Sequence, residues 1–143
     1  MAKSEHILIS LAPHHAENIF SGRKQVELRR RSMNVSPGTT VWIYVKLPVG
    51  SIIGRVKIVD IHESSPTTLW RRFGSVSGLS RREFFVYFKG VVAGVALVLE
   101  SAQKLRSSVS LESLRELSGG FHPPQFYSLL TDQKLLRQLS IAL

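Results

Sequence analysis

Two rhythms of apolar residues take turns along this chain, a period of two marking extended backbone and a period of three to four marking helix. Glu5 to Leu11 (EHILISL) alternates weakly and predicts a strand. Pro13 near a first turn and Gly22 past a last one bracket a short helix over Pro13 to Phe20. Val26 to Arg30 alternates strictly and predicts a second strand. Val26, Leu28 and Arg30 share one face; Gln25, Glu27, Arg29 and Arg31 share the other. In a closed barrel Val26 and Leu28 are expected to turn inward to the core, with Glu27, Arg29 and Arg31 turned away. MNVSPGTT is a turn-rich loop, tightest at Pro37-Gly38. VWIYVK, Val41 to Lys46, is dense in β-branched and aromatic residues and predicts a strand; LPVGS breaks it, and Ile52 to His62 makes a longer one.

In the second half, Ser65-Pro66 opens a helix running to about Phe73, with proline at a tolerated first-turn position. GSVSGLS predicts a flexible link, and RREFFVYFKG an aromatic helix closed by Gly90. Val91 to Glu100 is nearly all apolar, as befits a strand near the centre of a sheet. Leu111, Leu114 and Leu117 fall on one face of a helix that ends at Gly119-Gly120. FHPPQFYSLL predicts an irregular proline turn entering a last short helix near Asp132 to Leu139. Strands and helices do not alternate regularly enough for a doubly wound sheet. The pattern predicts an α+β fold, a small mixed β-barrel with short helices over its openings.

At 143 residues the chain is expected to form a single domain, 1–143, large enough for a core without staples. It has no cysteine, which excludes disulfides and thiolate metal sites and fits a reducing compartment. The apolar run Ile7 to Ala12 makes a poor signal peptide, and Val91 to Leu99 is far too short to span a bilayer. A soluble cytoplasmic protein without a membrane partner is expected; no oligomeric state follows. Nineteen Lys and Arg against ten Asp and Glu give a net charge of +9. Residues 1–90 carry 14 basic and 6 acidic groups, residues 91–143 only 5 and 4. So clustered an excess favours a polyanionic partner, nucleic acid above all, over a bias for solubility alone.

Familiar catalytic motifs are absent: no phosphate-cradling glycine loop, no GxGxxG, no HExxH. His14 and His15 diverge as helix neighbours and read as polar surface, and neither His62 nor His122 has an evident partner. No metal and no cofactor are assigned. Arg71-Arg72 and Arg81-Arg82 flank the Gly/Ser link and suit phosphate contacts or plain solvation. Arg55 and Lys57 share a strand face, a placement for backbone contact rather than sequence reading. Trp42 and Tyr44 also share a face, with core the favoured place for Trp42. In the row Lys24, Glu27, Arg29, a structural ion pair is the favoured reading of the residues alone. A partly buried row in a cleft would instead hold the lysine deprotonated, or orient a base or water.

LISLAPHHAENIFSGRKQVELRRR resembles the opening of the ASCH domain family, within the PUA-like superfamily of small RNA-associated barrels. Ser10, Ala16, Glu17, Ile19, Gly22, Lys24, Glu27 and Arg29 match the family pattern in order. VWIYVKLP, IIGRVKI, YFKG and PPQ extend the similarity over nearly the whole chain. The resemblance implies a PUA-like β-barrel with short flanking helices and a cleft lined by the Lys24 row, binding RNA or nucleotides. One enzymatic branch hydrolyses acylated cytidine with a lysine, matched by Lys24, and a threonine whose position Glu27 holds here. Relatives that cleave RNA rely on a tyrosine matched by Tyr44, a lysine in the loop that follows, and a serine near the proline turn, matched loosely by Ser128. In that loop this chain has Pro48-Val49-Gly50, with Lys46 nearby. The expected function is RNA binding in a basic cleft, with Ser10, Lys24, Arg29, Arg31, Tyr44, Lys46, Arg55, Lys57, Arg71, Arg72 and Ser128 as contacts. Tyr44, and Trp42 beside it, would offer a face for base stacking. The alternative is a small RNA- or modified-nucleoside-directed hydrolase in the same cleft, with Lys24 or Glu27 as the acid–base group and Tyr44 positioning substrate.

Overall fold

Proline and glycine set the first boundaries, as the local pattern requires. In a computed structural model, which describes residues 5–143, strand β1 (His6–Leu11) leads into helix α1 (Pro13–Phe20). Gly22, at φ +85°, turns the chain into β2 (Val26–Arg29). There follow β3 (Thr40–Val45), β4 (Ser51–Ser64), α2 (Pro66–Phe73), a 3-10 turn (Gly74–Val76), α3 (Arg81–Tyr87) and β5 (Gly94–Ser110). Helix α4 (Leu111–Leu117), the short β6 (Ser128–Leu129) and α5 (Gln133–Ile141) complete the chain. No helix among the described residues is long and apolar enough to cross a membrane.

One six-stranded sheet runs β2-β5-β4-β3-β1-β6, with β1 and β3 parallel and the other neighbours antiparallel. Three register shifts along the β4–β5 pair bend and coil it. The sheet curls into a half-barrel whose edges, β2 and β6, approach without pairing. Across that seam the Arg29 guanidinium donates to the Phe126 carbonyl at 3.1 Å, and the Asn34 N–H to the Tyr127 hydroxyl at 3.1 Å.

Three apolar clusters hold this shape. Ile7, Ile9, Val41, Ile43, Val56, Ile58, Val95 and Leu97 fill the inside of the curl, closed by Ala16 and Ile19 of α1. On the outer face Leu8, Trp42, Tyr44 and Ile52 pack under Leu114 of α4 and Leu135 and Leu139 of α5. At the other end Val26, Leu28 and Ala96 pack under Leu69 of α2 and Phe84 and Phe88. The sheet is therefore covered on both faces over much of its area.

This corrects the expected orientation of β2. Val26 and Leu28 are buried, but on the outer face beneath α2 and α3. Glu27 and Arg29 are in register with Leu97 and Val95, whose side chains line the inside of the curl. Strand β5 also differs from Val91–Glu100: it starts at Gly94 and runs on to Ser110. Beyond Leu99 only Leu105 and Val109 are buried, so its second half reads as polar although it pairs with the start of β4. The link GSVSGLS is ordered rather than flexible. Gly74 and Ser77 are buried, the Ser77 hydroxyl donates to the Gly74 carbonyl at 2.8 Å, and the Gln25 N–H donates to the Val76 carbonyl at 2.8 Å.

Candidate nucleic-acid interface

Beside the seam, α1 ends and β2 begins, and the turn between them sets Lys24 in place. Its N–H donates to the Asn18 carbonyl at 2.9 Å, and its backbone bridges to Ser77. Its ammonium donates to the Ser77 carbonyl at 3.5 Å and lies 3.2 Å from Glu27 Oε1. The second Glu27 oxygen accepts from Arg29 Nη2 at 2.9 Å. All three side chains are nearly inaccessible, at 4% exposure for Lys24, 8% for Glu27 and 11% for Arg29. Burial alone would raise the Glu27 carboxyl, but the charges of Lys24 and Arg29 and the Lys24 hydrogen bond outweigh it and hold it below its ordinary value. The row expected from the sequence is thus a buried cation–anion–cation triad with net positive charge.

Above the triad lies a cleft of about 370 Å³, walled by Leu11, Leu28, Leu79 and Tyr87, with Lys46, Glu83 and Gln125 at its rim. The Tyr87 hydroxyl donates to the Leu28 carbonyl at 2.9 Å, and burial pushes its pKa up, so it stays a neutral phenol. Ser10 and His15 complete the lining. Burial and then the Lys24 charge lower the His15 pKa, which favours the neutral imidazole. Among the described residues the buried side-chain polar atoms without a hydrogen-bond partner are Ser10 Oγ, His15 Nδ1 and Arg29 Nε. The three residues line this cleft, but these particular atoms are closed off from it, and unpaired buried polar atoms are costly.

The cleft continues into a second depression that shares Arg29, Tyr87 and Gln125 and adds Arg30, Arg31 and Phe126. Arg31 lies 4.4 Å and Arg29 5.5 Å from the centre of the Phe126 ring. Arg30 Nη1 donates to the Tyr87 and Lys89 carbonyls at the end of α3, at 2.6 and 3.0 Å. Three successive arginines therefore border one groove.

Ser10, Lys24, Glu27, Arg29 and Lys46 come together in the cleft, with Arg31 in the adjoining groove. Tyr44 does not join them. It is 3% exposed among Trp42, Leu8 and Ile52, so its ring has no free face for a base. Trp42 is fully buried and donates from Nε1 to His6 Nδ1 at 3.0 Å. Arg55 lies over the Trp42 ring and donates to Gln103 at 3.2 Å, outside the cleft, while Lys57 is exposed further along β4. Arg71 and Arg72 sit in the last turn of α2, where cations suit the helix dipole. Ser128 pairs with Leu8 in β6 and lies outside the cleft lining. Tyr87 and Gln125 lie in the YFKG and PPQ stretches of the family resemblance, but no site role was expected of either, and tertiary packing brings them to the cleft. His15 left a trace: it lies four residues before the buried Ile19, on the inner edge of α1. Among the described residues no three His, Asp or Glu side chains converge as metal ligands would.

A curled α+β sheet with helices on its outer face and a cationic cleft at its seam is a PUA-like architecture. The chain belongs to the ASCH domain family, whose model matches residues 9–111. It is 34% identical to the ASCH domain-containing ribonuclease of Zymomonas mobilis, over 94% of this chain and 90% of that protein. The crystal structure of ASCH from Zymomonas mobilis superposes with a TM-score of 0.89 at 33% identity, covering 96% of each chain. Human THYN1 protein, crystallised in complex with 5-methylcytosine-containing DNA, is alike in fold, with a TM-score of 0.59 at 15% identity over 97% of this chain and 98% of that one.

Proposed function

We propose that this protein binds single-stranded RNA, one nucleotide seated in the Lys24 cleft and neighbouring phosphates lying along Arg29–Arg31. The observation that carries this reading is the shared Arg29. It joins cleft to groove, lining both. With Glu27 occupied by two cations, the groups left to a ligand are mostly donors, which suits phosphate and carbonyl oxygens. The cleft volume, near 370 Å³, is at the small end of ligand pockets and admits a splayed nucleotide rather than a duplex. Lys24 acts as an electrostatic clamp. Arg55, Lys57, Arg71 and Arg72 add long-range attraction only.

Fluorescence anisotropy with a labelled RNA oligonucleotide tests this. Lys24→Ala is expected to weaken binding about ten- to a hundredfold, as for loss of a charged hydrogen bond, while Lys24→Arg keeps most of it. Replacing Arg71 and Arg72 with alanine should change affinity far less. No binding by the wild type at low salt would sink the proposal.

A second reading, that bound RNA is also cut, is favoured by the ribonuclease relative at 34% identity. The tyrosine that the resemblance matches to cleavage, Tyr44, is buried and lies outside the cleft lining.

A further inference from the structure

We propose that Arg31, lying on the Phe126 ring, is a stacking platform for an unpaired RNA base next to the nucleotide in the cleft. The proposal rests on the RNA-binding reading and adds to it a second base subsite, in a groove otherwise suited only to phosphates.

The platform is fixed from below. Phe126 is half-buried and packs against the inner core. Its carbonyl accepts from Arg29 Nη1 at 3.1 Å, and its ring meets the Tyr127 ring edge-on, with centres 4.9 Å apart and planes at 76°. The Tyr127 hydroxyl in turn accepts the Asn34 N–H at 3.1 Å. Contacts from both sides of the seam therefore hold the ring in place.

Arg31 differs from the two arginines before it. Arg29 is nearly inaccessible and donates to Glu27 and to the Phe126 carbonyl. Arg30 donates to the Tyr87 and Lys89 carbonyls. Arg31 is exposed, and among the described residues no carboxylate pairs with it. Its guanidinium carbon lies over the Phe126 ring, 4.4 Å from the centre, so one side is covered by the ring and the other meets solvent. A guanidinium is flat and weakly hydrated, and it stacks on aromatic rings and on bases alike. Placed on Phe126 it loses little freedom when a base covers its open side, and its N–H edge stays free for the adjoining phosphate. The groove around it holds about 460 Å³, room for a base. Trp42 and Tyr44 offer no such face, since both are buried. Gln125 borders cleft and groove alike, so consecutive nucleotides can occupy the two. A base in a duplex is already stacked on both sides, so the platform selects single strands.

The test uses labelled RNA trinucleotides, one intact and three each carrying one abasic ribose, with binding read by fluorescence anisotropy. Arg31→Lys keeps the charge and loses the flat stacking face. It should weaken binding of the intact trinucleotide about five- to a hundredfold with an unchanged salt slope. For at least one abasic position the wild type should bind more weakly by the same order, and Arg31→Lys should then cost nothing further. Phe126→Leu, which keeps an apolar side chain on the core, should repeat the pattern, with Tm recording any effect on folding. Wild-type affinity of Arg31→Lys for the intact strand, or an equal loss on all four, would overturn the proposal while RNA binding stands. A wild type that binds none of them, nor a longer strand, at low salt overturns the RNA-binding reading itself and this subsite with it.

Discussion

At the scale of single residues, Glu27 decides how much charge the cleft can hold. Its carboxylate lies between two buried cations, 3.2 Å from one and 2.9 Å from the other. Removing one partner of such a group strands the rest in a poorly solvated place, at a cost of about 3–5 kcal/mol. Glu27→Gln is therefore expected to lower unfolding stability by that order, read from urea denaturation. The pH dependence carries a sign. Because the folded carboxyl titrates below its ordinary value, its stabilisation is complete above the ordinary carboxylate range and is lost as pH falls through the folded value. The gap between wild type and Glu27→Gln should close on acidification. A gap that stays constant into the acid range would show that the triad's charge contributes nothing.

At the scale of elements, two helices place the cleft walls by different means. Helix α3 starts with a capping box: the Ser80 hydroxyl accepts the Glu83 N–H at 3.1 Å, and Glu83 accepts the Ser80 N–H in return. It ends at Tyr87, which holds edge strand β2 through the Leu28 carbonyl. Ser80→Ala should cost about 1 kcal/mol of stability by chemical denaturation, within the usual range for a lost cap. Helix α1 depends instead on a close approach. A Cβ at Gly54 of β4 would lie 2.4 Å from the Phe20 ring and 2.6 Å from the Gln103 carbonyl oxygen. The ring can give way, but the backbone cannot. Gly54→Ala is expected to cost about 1–3 kcal/mol and to weaken RNA binding by shifting α1, with its His15, away from the cleft. Calorimetry and anisotropy on the same variant check both. Full stability with normal binding would mean that α1 sits less tightly than its contacts indicate.

At the scale of the molecule, a net charge of +9 and a groove of successive arginines predict a salt-dependent association. Each phosphate contact on a single strand contributes a slope of about −0.7 in log K against log salt. Arg31→Ala should flatten the slope by about one such contact for every RNA sequence tried, since phosphate contacts carry no sequence information. A titration series in rising salt measures this. An unchanged slope would remove Arg31 from the path of the strand.

Local pattern determined most of the elements. Proline and glycine bounded α1 and α2, β-branched and aromatic density marked β3, and strict alternation marked β2. These signals are properties of consecutive residues, so a chain read alone contains them. The family pattern likewise placed Lys24, Glu27 and Arg29 in one row. Tertiary structure decided which face of β2 turns inside the curl. The sheet is covered on both faces, and alternation separates two faces without naming either. It also buried Tyr44 under α4 and α5, ordered the link at Ser77 over Lys24, and extended β5 through a stretch that is polar where one face meets solvent. The cleft itself joins residues far apart in sequence: Lys24 meets Ser77 across 53 positions, and Arg29 meets Phe126 across 97. The first arises where the link between α2 and α3 packs on the turn between α1 and β2, the second where the edges of the curled sheet come together, and no periodicity in the chain encodes either meeting.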